Sequence, residues 1–198
     1  MARTLPLFPL GTVLFPAGPL ALRIFEPRYV DMVGRCLRDG TGFGVVLLVD
    51  GAEAGRGAVA TAAVGTEARI VDFDRLEDGL LGLTCIGAGR LRILRAWRQD
   101  DGLNVGEVTD IAPDPAQPVP DDCGHLAARL RRLYGDLGPL YARVPPAWDD
   151  AAWLGNRLAE LAPLEPAAKQ RLLELTDPLQ RLRHLAPRVP AGAAAFDA

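Results

Sequence analysis

The chain has 198 residues, 49% of them apolar and 24% charged, with a formal net charge of −3 at pH 7. This is an ordinary globular balance with room for one large or two small domains, and neither half carries the basic excess that a nucleic-acid partner calls for. Prolines and glycines interrupt the first apolar segment every few residues, which excludes a membrane helix and the apolar core of a signal peptide, so a cytoplasmic location is expected.

The chain opens on two near-copies of one phrase, Leu7-Phe8-Pro9-Leu10 and Leu14-Phe15-Pro16-Ala17. One reading makes Leu5, Leu7, Leu14 and Leu22 core and lets the prolines protect a sheet edge. The other holds that so many apolar groups cannot all point inward, leaving Phe8, Phe15, Pro16 and Phe25 to line an exposed surface of the kind that marks binding sites. A strand is expected from Leu20 to Phe25. Glu26-Pro27 then opens a helix to Arg38, with Gly40 near its end. Its apolar positions Tyr29, Val30, Val33 and Leu37 recur at helical spacing and are expected to pack on a strand from Phe43 to Val49, buried on both faces. Glu26 and Arg28 beside Tyr29 are expected to hold the strand-to-helix junction by hydrogen bonds and a charge pair.

A polar loop from Asp50 to Gly57 leads into a β region: Val64 to Leu76, Leu80 to Trp97 and Leu103 to Ile111. Asp78-Gly79 and Asp101-Gly102 between these runs are hairpin signals. Gly87-Ala88-Gly89 marks a bulge or bend where a sheet curls, and a curled sheet suggests a small barrel. Ala112 to Pro120, four of whose nine residues are proline, can neither continue a ladder nor begin a helix. Beyond it the period becomes helical, with Leu126, Leu130, Leu133 and Leu137 on one stripe and Leu154, Leu158 and Leu161 on another. Asp149-Asp150 and Asp177-Pro178 are N-terminal caps, the latter for a last helix carrying Leu179, Leu182 and Leu185. Asp121-Asp122 is read as another capping pair. The expected fold is α+β: a barrel with one helix over residues 1–111, a Pro-rich linker over 112–121, a helical bundle over 122–186 and a flexible tail over 187–198.

The phrases "LPLFPLGTVLFPAGPLALRIFEPRYVDMV", "FGVVLL", "VGTEARI", "GAGRLRI", "WLGNRLAELAPLEPAAKQRLLEL" and "DPLQRLRHL" resemble, in order, the substrate-binding N-terminal domain of Lon proteases. The resemblance is strongest to the bacterial proteins that consist of that domain alone. It implies a PUA-like β-barrel followed by a helical bundle, and a binding rather than a catalytic role, because the ATPase and protease of Lon lie in later domains. The residues agree on chemistry. Lys169, the one lysine, is followed by Gln170 without a glycine-rich loop, so it forms no P-loop, and the chain has no serine to act as a nucleophile.

Cys36, Cys85 and Cys123 are odd in number and never spaced C-x-x-C, which suits a reducing compartment and buried thiols. Cys123-Gly124-His125 is an isolated C-x-H fragment, so neither a metal nor a cofactor is expected. A hydrolase would need Cys85 or Cys36 to meet His125 or His184 in space. Arg90, Arg92, Arg95 and Arg98 form the most basic stretch, with Arg90 and Arg92 on one strand face, yet Trp97 is the only aromatic nearby and Asp100 and Asp101 follow. The expected function is therefore a non-catalytic module that captures unfolded or apolar polypeptide segments through Phe8, Phe15, Pro16 and Phe25, alone or with a protease or chaperone. A PUA-like protein binding RNA or a small ligand is the alternative.

Overall fold

The computed structural model describes residues 1–50 and 60–188, so the polar loop beyond Asp50 and the tail beyond Arg188 lie outside the described residues. The chain divides into two compact units, the first Met1–Ala112 and the second beginning at Pro113.

The first unit contains β1 (Arg3–Leu10), β2 (Pro19–Ile24), α1 (Pro27–Asp39), β3 (Phe43–Asp50), β4 (Ala60–Arg75), β5 (Leu81–Arg98) and β6 (Asn104–Asp110). Its sheet runs β2-β5-β4-β3-β1-β6, and a further β5–β6 pairing joins five of the strands into a ring, leaving β2 at an edge. β5 serves two neighbours because its halves are used separately: Leu81–Ile86 pairs with β2, and Leu91–Arg98 pairs with β6. The expected irregularity lies between them. Thr66 pairs with Arg90 and Ala68 with Gly87, so β5 carries one extra residue there. Both Asp-Gly signals form hairpins, with Gly79 at φ 82° and Gly102 at φ 85°, where glycine has no Cβ to clash. Leu76 N–H donates to the Leu80 carbonyl and Gln99 N–H to that of Leu103, each at 2.9 Å.

The opening segment differs from both expectations in part. β1 is not an edge strand: it runs parallel to β3 on one side and antiparallel to β6 on the other. Its prolines are accommodated by stagger. The β3 pairing starts at Leu7, after Pro6, and the β6 pairing ends at Leu7, before Pro9, so each proline lies in only one ladder. Phe8 and Phe15 are core, at 7% and 0% exposure, and do not line a surface. The Phe8 ring stacks on Tyr29 with centroids 4.1 Å apart. Phe15 sits in the β1–β2 connection, which is fastened to the sheet: Thr66 Oγ1 donates to the Leu14 carbonyl at 2.6 Å, and Ala17 N–H to that of Gly87 at 2.7 Å. A ring of strands encloses apolar side chains along its length and at its ends, which is why these two rings turn inward. Pro16 is half-buried, while Phe25 is exposed at 61%.

α1 begins at Pro27 after Glu26 and ends at Gly40, whose φ of 64° gives the left-handed cap. Its buried stripe is Tyr29, Met32, Val33 and Cys36. Val30 and Leu37 were expected in that stripe and are exposed instead, at 43% and 42%. Both sets have helical spacing, and the core accepts the one centred on Met32 and Val33.

The second unit has α2 (Gly124–Tyr134), α3 (Ala151–Leu161), α4 (Pro166–Glu174) and α5 (Pro178–Leu185), with 3₁₀ turns at Asp121–Cys123, Tyr141–Arg143 and Ala186–Arg188. Asp150 caps α3 by accepting from Ala152 N–H, and Asp177 caps α5 by accepting from Leu179 N–H, each at 2.9 Å. Asp121 and Asp122 instead occupy a 3₁₀ turn, and no side chain caps α2. α4 has a start signal not read as one, Glu165-Pro166, the counterpart of Glu26-Pro27. Pro118 in the proline-rich stretch forms an isolated bridge with Asp150 at the head of α3.

Two arginines are buried in this unit. Arg181 is fully enclosed and donates to the Leu172 carbonyl at 2.9 Å, the Leu175 carbonyl at 2.5 Å and Asp114 at 2.7 Å, tying α5 to the end of α4 and to the proline-rich stretch. Arg157 pairs with Glu160 at 3.0 Å, and Glu160 also accepts from the Tyr141 hydroxyl. Such pairs hold an arrangement more than they add stability, since desolvation offsets much of the attraction.

Candidate functional site

Beyond the ring, β2, the first half of β5 and the end of β4 continue as a three-stranded arm. The β3–β4 pairing covers only Ala60–Ala68 of β4, so Arg69–Arg75 has β5 on one side and no described strand on the other. The outer edge of β2 likewise has no described strand beside it. One face of the arm packs into the core through Ile24, Leu83 and Cys85.

Register dictates the opposite face. Ala21, Thr84 and Asp72 stand side by side, and in the next row Arg23, Gly82 and Asp74. Gly82 leaves the middle of the second row empty between Arg23 and Asp74, and the face is hollow: a groove of about 770 Å³, with Phe73, Leu76, Glu77 and Asp78 also in its lining. A second hollow of about 530 Å³ brings Phe73 and Leu81 together with Val30 of α1. Phe73 is 58% exposed, and Val71 beside it is exposed too, because a register shift between Ile70 and Asp72 interrupts the alternation.

The lining is rich in carboxylates. Among the described lining residues, Asp72, Asp74, Glu77 and Asp78 are accompanied by one cation, Arg23, which forms an ion pair with Asp78. The Leu80 N–H and the Arg23 guanidinium hold the Asp78 carboxyl below its usual range. Asp72 accepts from Phe73 N–H at 3.0 Å.

Of the residues expected to bind polypeptide, Phe25 is the exposed one, immediately after β2. Phe8 and Phe15 lie inside, and Pro16 is not brought together with Phe25. Phe73 and Val30, which are exposed and line the second hollow, were not among the residues expected. The alternation Val71-Asp72-Phe73-Asp74 was the available signal, an apolar and acidic pattern in a strand with nothing expected to cover it. Glu26 and Arg28 hold the junction as expected: they pair at 2.9 Å, and Arg28 also donates to the Gly102 carbonyl at 2.6 Å and lies over the Tyr29 ring.

The alternative chemistries find little to work with. Cys85 is fully buried, and burial pushes its thiol up to about 12. Cys36 is shifted in the same direction by burial, and its thiol donates to the Gly42 carbonyl at 3.4 Å. The core around both contains no histidine. Arg90 and Arg92 stand two residues apart on β5, opposite Thr66 and Val64, as expected for one face, but Arg90 is 4% exposed and Arg92 is the exposed one. Among the described residues no group of three or more His, Cys, Asp or Glu could hold a metal ion, and no helix is long and apolar enough to cross a membrane.

A closed sheet with one packed helix, followed by a unit of helices, is a mixed α/β architecture. The ATP-dependent protease La (LON) substrate-binding domain model matches residues 4–187, and the chain belongs to that family. It is similar to Lon protease 2 of Myxococcus xanthus, 25% identical over 189 residues, which are 91% of this chain and 23% of that protein. It is also similar to the Lon protease of Xanthomonas oryzae pv. oryzae, 28% identical over 135 residues, 65% of this chain and 16% of that one. The chain thus spans less than a quarter of the length of these curated relatives. Among solved structures, the Lon N-terminal domain protein from Xanthomonas campestris is 41% identical, with a TM-score of 0.79 over 95% of this chain and 99% of that one. The N-terminal domain of the Mycobacterium avium complex Lon protease shares the fold at 20% identity, with a TM-score of 0.61 over 94% and 98% of the two chains.

Proposed function

We propose that the chain is a non-catalytic polypeptide-binding module that captures unfolded or apolar segments on the β2–β5–β4 arm, with Phe25, Phe73 and Val30 as its apolar contacts. The observation that carries this reading is the groove beside two open strand edges and exposed rings. An extended segment laid along β2 would gain main-chain hydrogen bonds from the strand edge and side-chain contacts from the hollows. Membership of a family described as the substrate-binding domain of LON supports the same reading. The proposal includes a PUA-like classification of the closed sheet, a cytoplasmic location consistent with three free cysteines, and onward transfer of the captured segment to a protease or chaperone.

The test is a fluorescence-anisotropy titration of a labelled, permanently unfolded polypeptide of no net charge, with its folded form as control. Saturable binding of the unfolded form alone, unchanged between low and high salt, is expected, because apolar contact is not screened. Phe25→Ala should weaken that binding while changing stability by no more than about 0.5 kcal/mol, as for a surface site. Phe15→Ala should instead cost about 3–5 kcal/mol of stability, as for a buried ring. Absence of binding by the unfolded form would remove the proposal.

A further inference from the structure

We propose that this groove selects for charge as well as apolarity, and that its preferred occupant is an extended polypeptide segment in which lysine or arginine alternates with large apolar residues. The inference rests on the polypeptide-binding reading and adds a specificity to it.

The argument is electrostatic and geometric. In the two cross-strand rows the middle positions are Thr84 and Gly82, so the groove is open at its centre and bounded on the β4 side by Asp72 and Asp74. Glu77 and Asp78 continue the acidic wall around the hairpin. Arg23, the one cation among the described lining residues, is engaged by Asp78, and Asp74 and Glu77 add their charge to the same wall. A concave surface lined by one sign of charge focuses its field and favours the opposite sign. Phe73, 58% exposed and paired with Leu83, stands on the other face of β4 from Asp72 and Asp74, beside Val30, so the open strand Arg69–Arg75 presents carboxylates on one face and an apolar ring on the other. An extended segment sends successive side chains to opposite faces, so one laid along the open edge of Arg69–Arg75 can direct its cationic groups to the carboxylate face and its apolar groups to the face of Phe73. Acidic groups on a strand edge also discourage edge-to-edge aggregation, but that role needs neither the hollow nor the exposed ring.

Three labelled peptides alternating Phe or Leu with Lys, Gln or Glu separate the possibilities when titrated against the full chain at low and high salt. The Lys peptide should bind about threefold to tenfold more tightly than the Gln peptide at low salt, the range that a few exposed ion pairs supply. The Glu peptide should bind more weakly than either. High salt should bring all three together at the affinity of the Gln peptide. Asp74→Asn with Glu77→Gln should abolish the advantage of the Lys peptide over the Gln peptide, and Asp74→Lys with Glu77→Lys should reverse the order. Equal binding of the three peptides at low salt would overturn the charge selection and leave polypeptide binding standing. Failure of all three to bind would overturn both.

Discussion

Cys85 has no exposed surface, and burial pushes its thiol up to about 12, so at neutral pH it keeps its proton and is neither nucleophile nor metal ligand. The same shift links it to folding. The neutral thiol is favoured in the folded chain, so its contribution is constant below the unfolded value of about 8.5 and is lost as pH rises from there towards about 12. Urea unfolding should therefore show stability falling across that alkaline window. Cys85→Ala should lower stability at pH 7 through lost packing and flatten the alkaline decline. Native protein at neutral pH should alkylate at Cys85 only as fast as it opens; rapid labelling of the folded chain would contradict the burial argument.

The middle of β5 sets two glycines of one motif against each other. A Cβ on Gly87 would lie 2.2 Å from the Phe15 carbonyl oxygen, whereas one on Gly89 would meet nothing within 4 Å. Gly87→Ala must push the β1–β2 connection away, with the Ala17 N–H bond to the Gly87 carbonyl and the packing of Phe15, and should destabilise by about 3 kcal/mol or more. Gly89→Ala should stay within about 0.5 kcal/mol. Chemical denaturation of the pair measures the difference, and equal losses would mean that the bulge rather than the close approach governs the site. The motif was legible as a bend; which glycine mattered was not, because the clash comes from a residue far away in the chain. The same divide runs through the other elements. Glu26-Pro27 with Gly40, the Asp-Gly hairpins and the Asp150 and Asp177 caps are local, since each signal and its partner lie within a few residues. The inward turn of Phe8 and Phe15 depends on β5 meeting β6, and the choice of Met32 and Cys36 over Val30 and Leu37 depends on what α1 faces. Arg181 gave no signal, for a buried arginine differs from a surface one only in acceptors contributed by Leu172, Leu175 and Asp114.

At the scale of the molecule, the first unit separates a closed part from an open one. β1, β3 and β6 are flanked by strands and surround a core from Leu5 to Val108, and opening any of them requires breaking the ring. The arm is held from fewer sides, because the outer edges of β2 and of Arg69–Arg75 have no described strand against them. Amide exchange should reflect this division, slowest along β1 and β3 and fastest among the strand residues along Val71–Arg75 and the free edge of β2. That contrast also locates the binding surface without mutation. A saturating amount of the unfolded polypeptide should slow exchange along those two open edges and leave β1 and β3 unchanged, because a segment added to an edge protects the amides it pairs with. Slowing confined instead to α2 through α5 would place capture on the helical unit and remove the arm from consideration. Protection along β2 alone would identify main-chain pairing as the dominant contact. Protection reaching Phe73 would show that the acidic wall and its exposed ring take part, the condition on which charge selection depends.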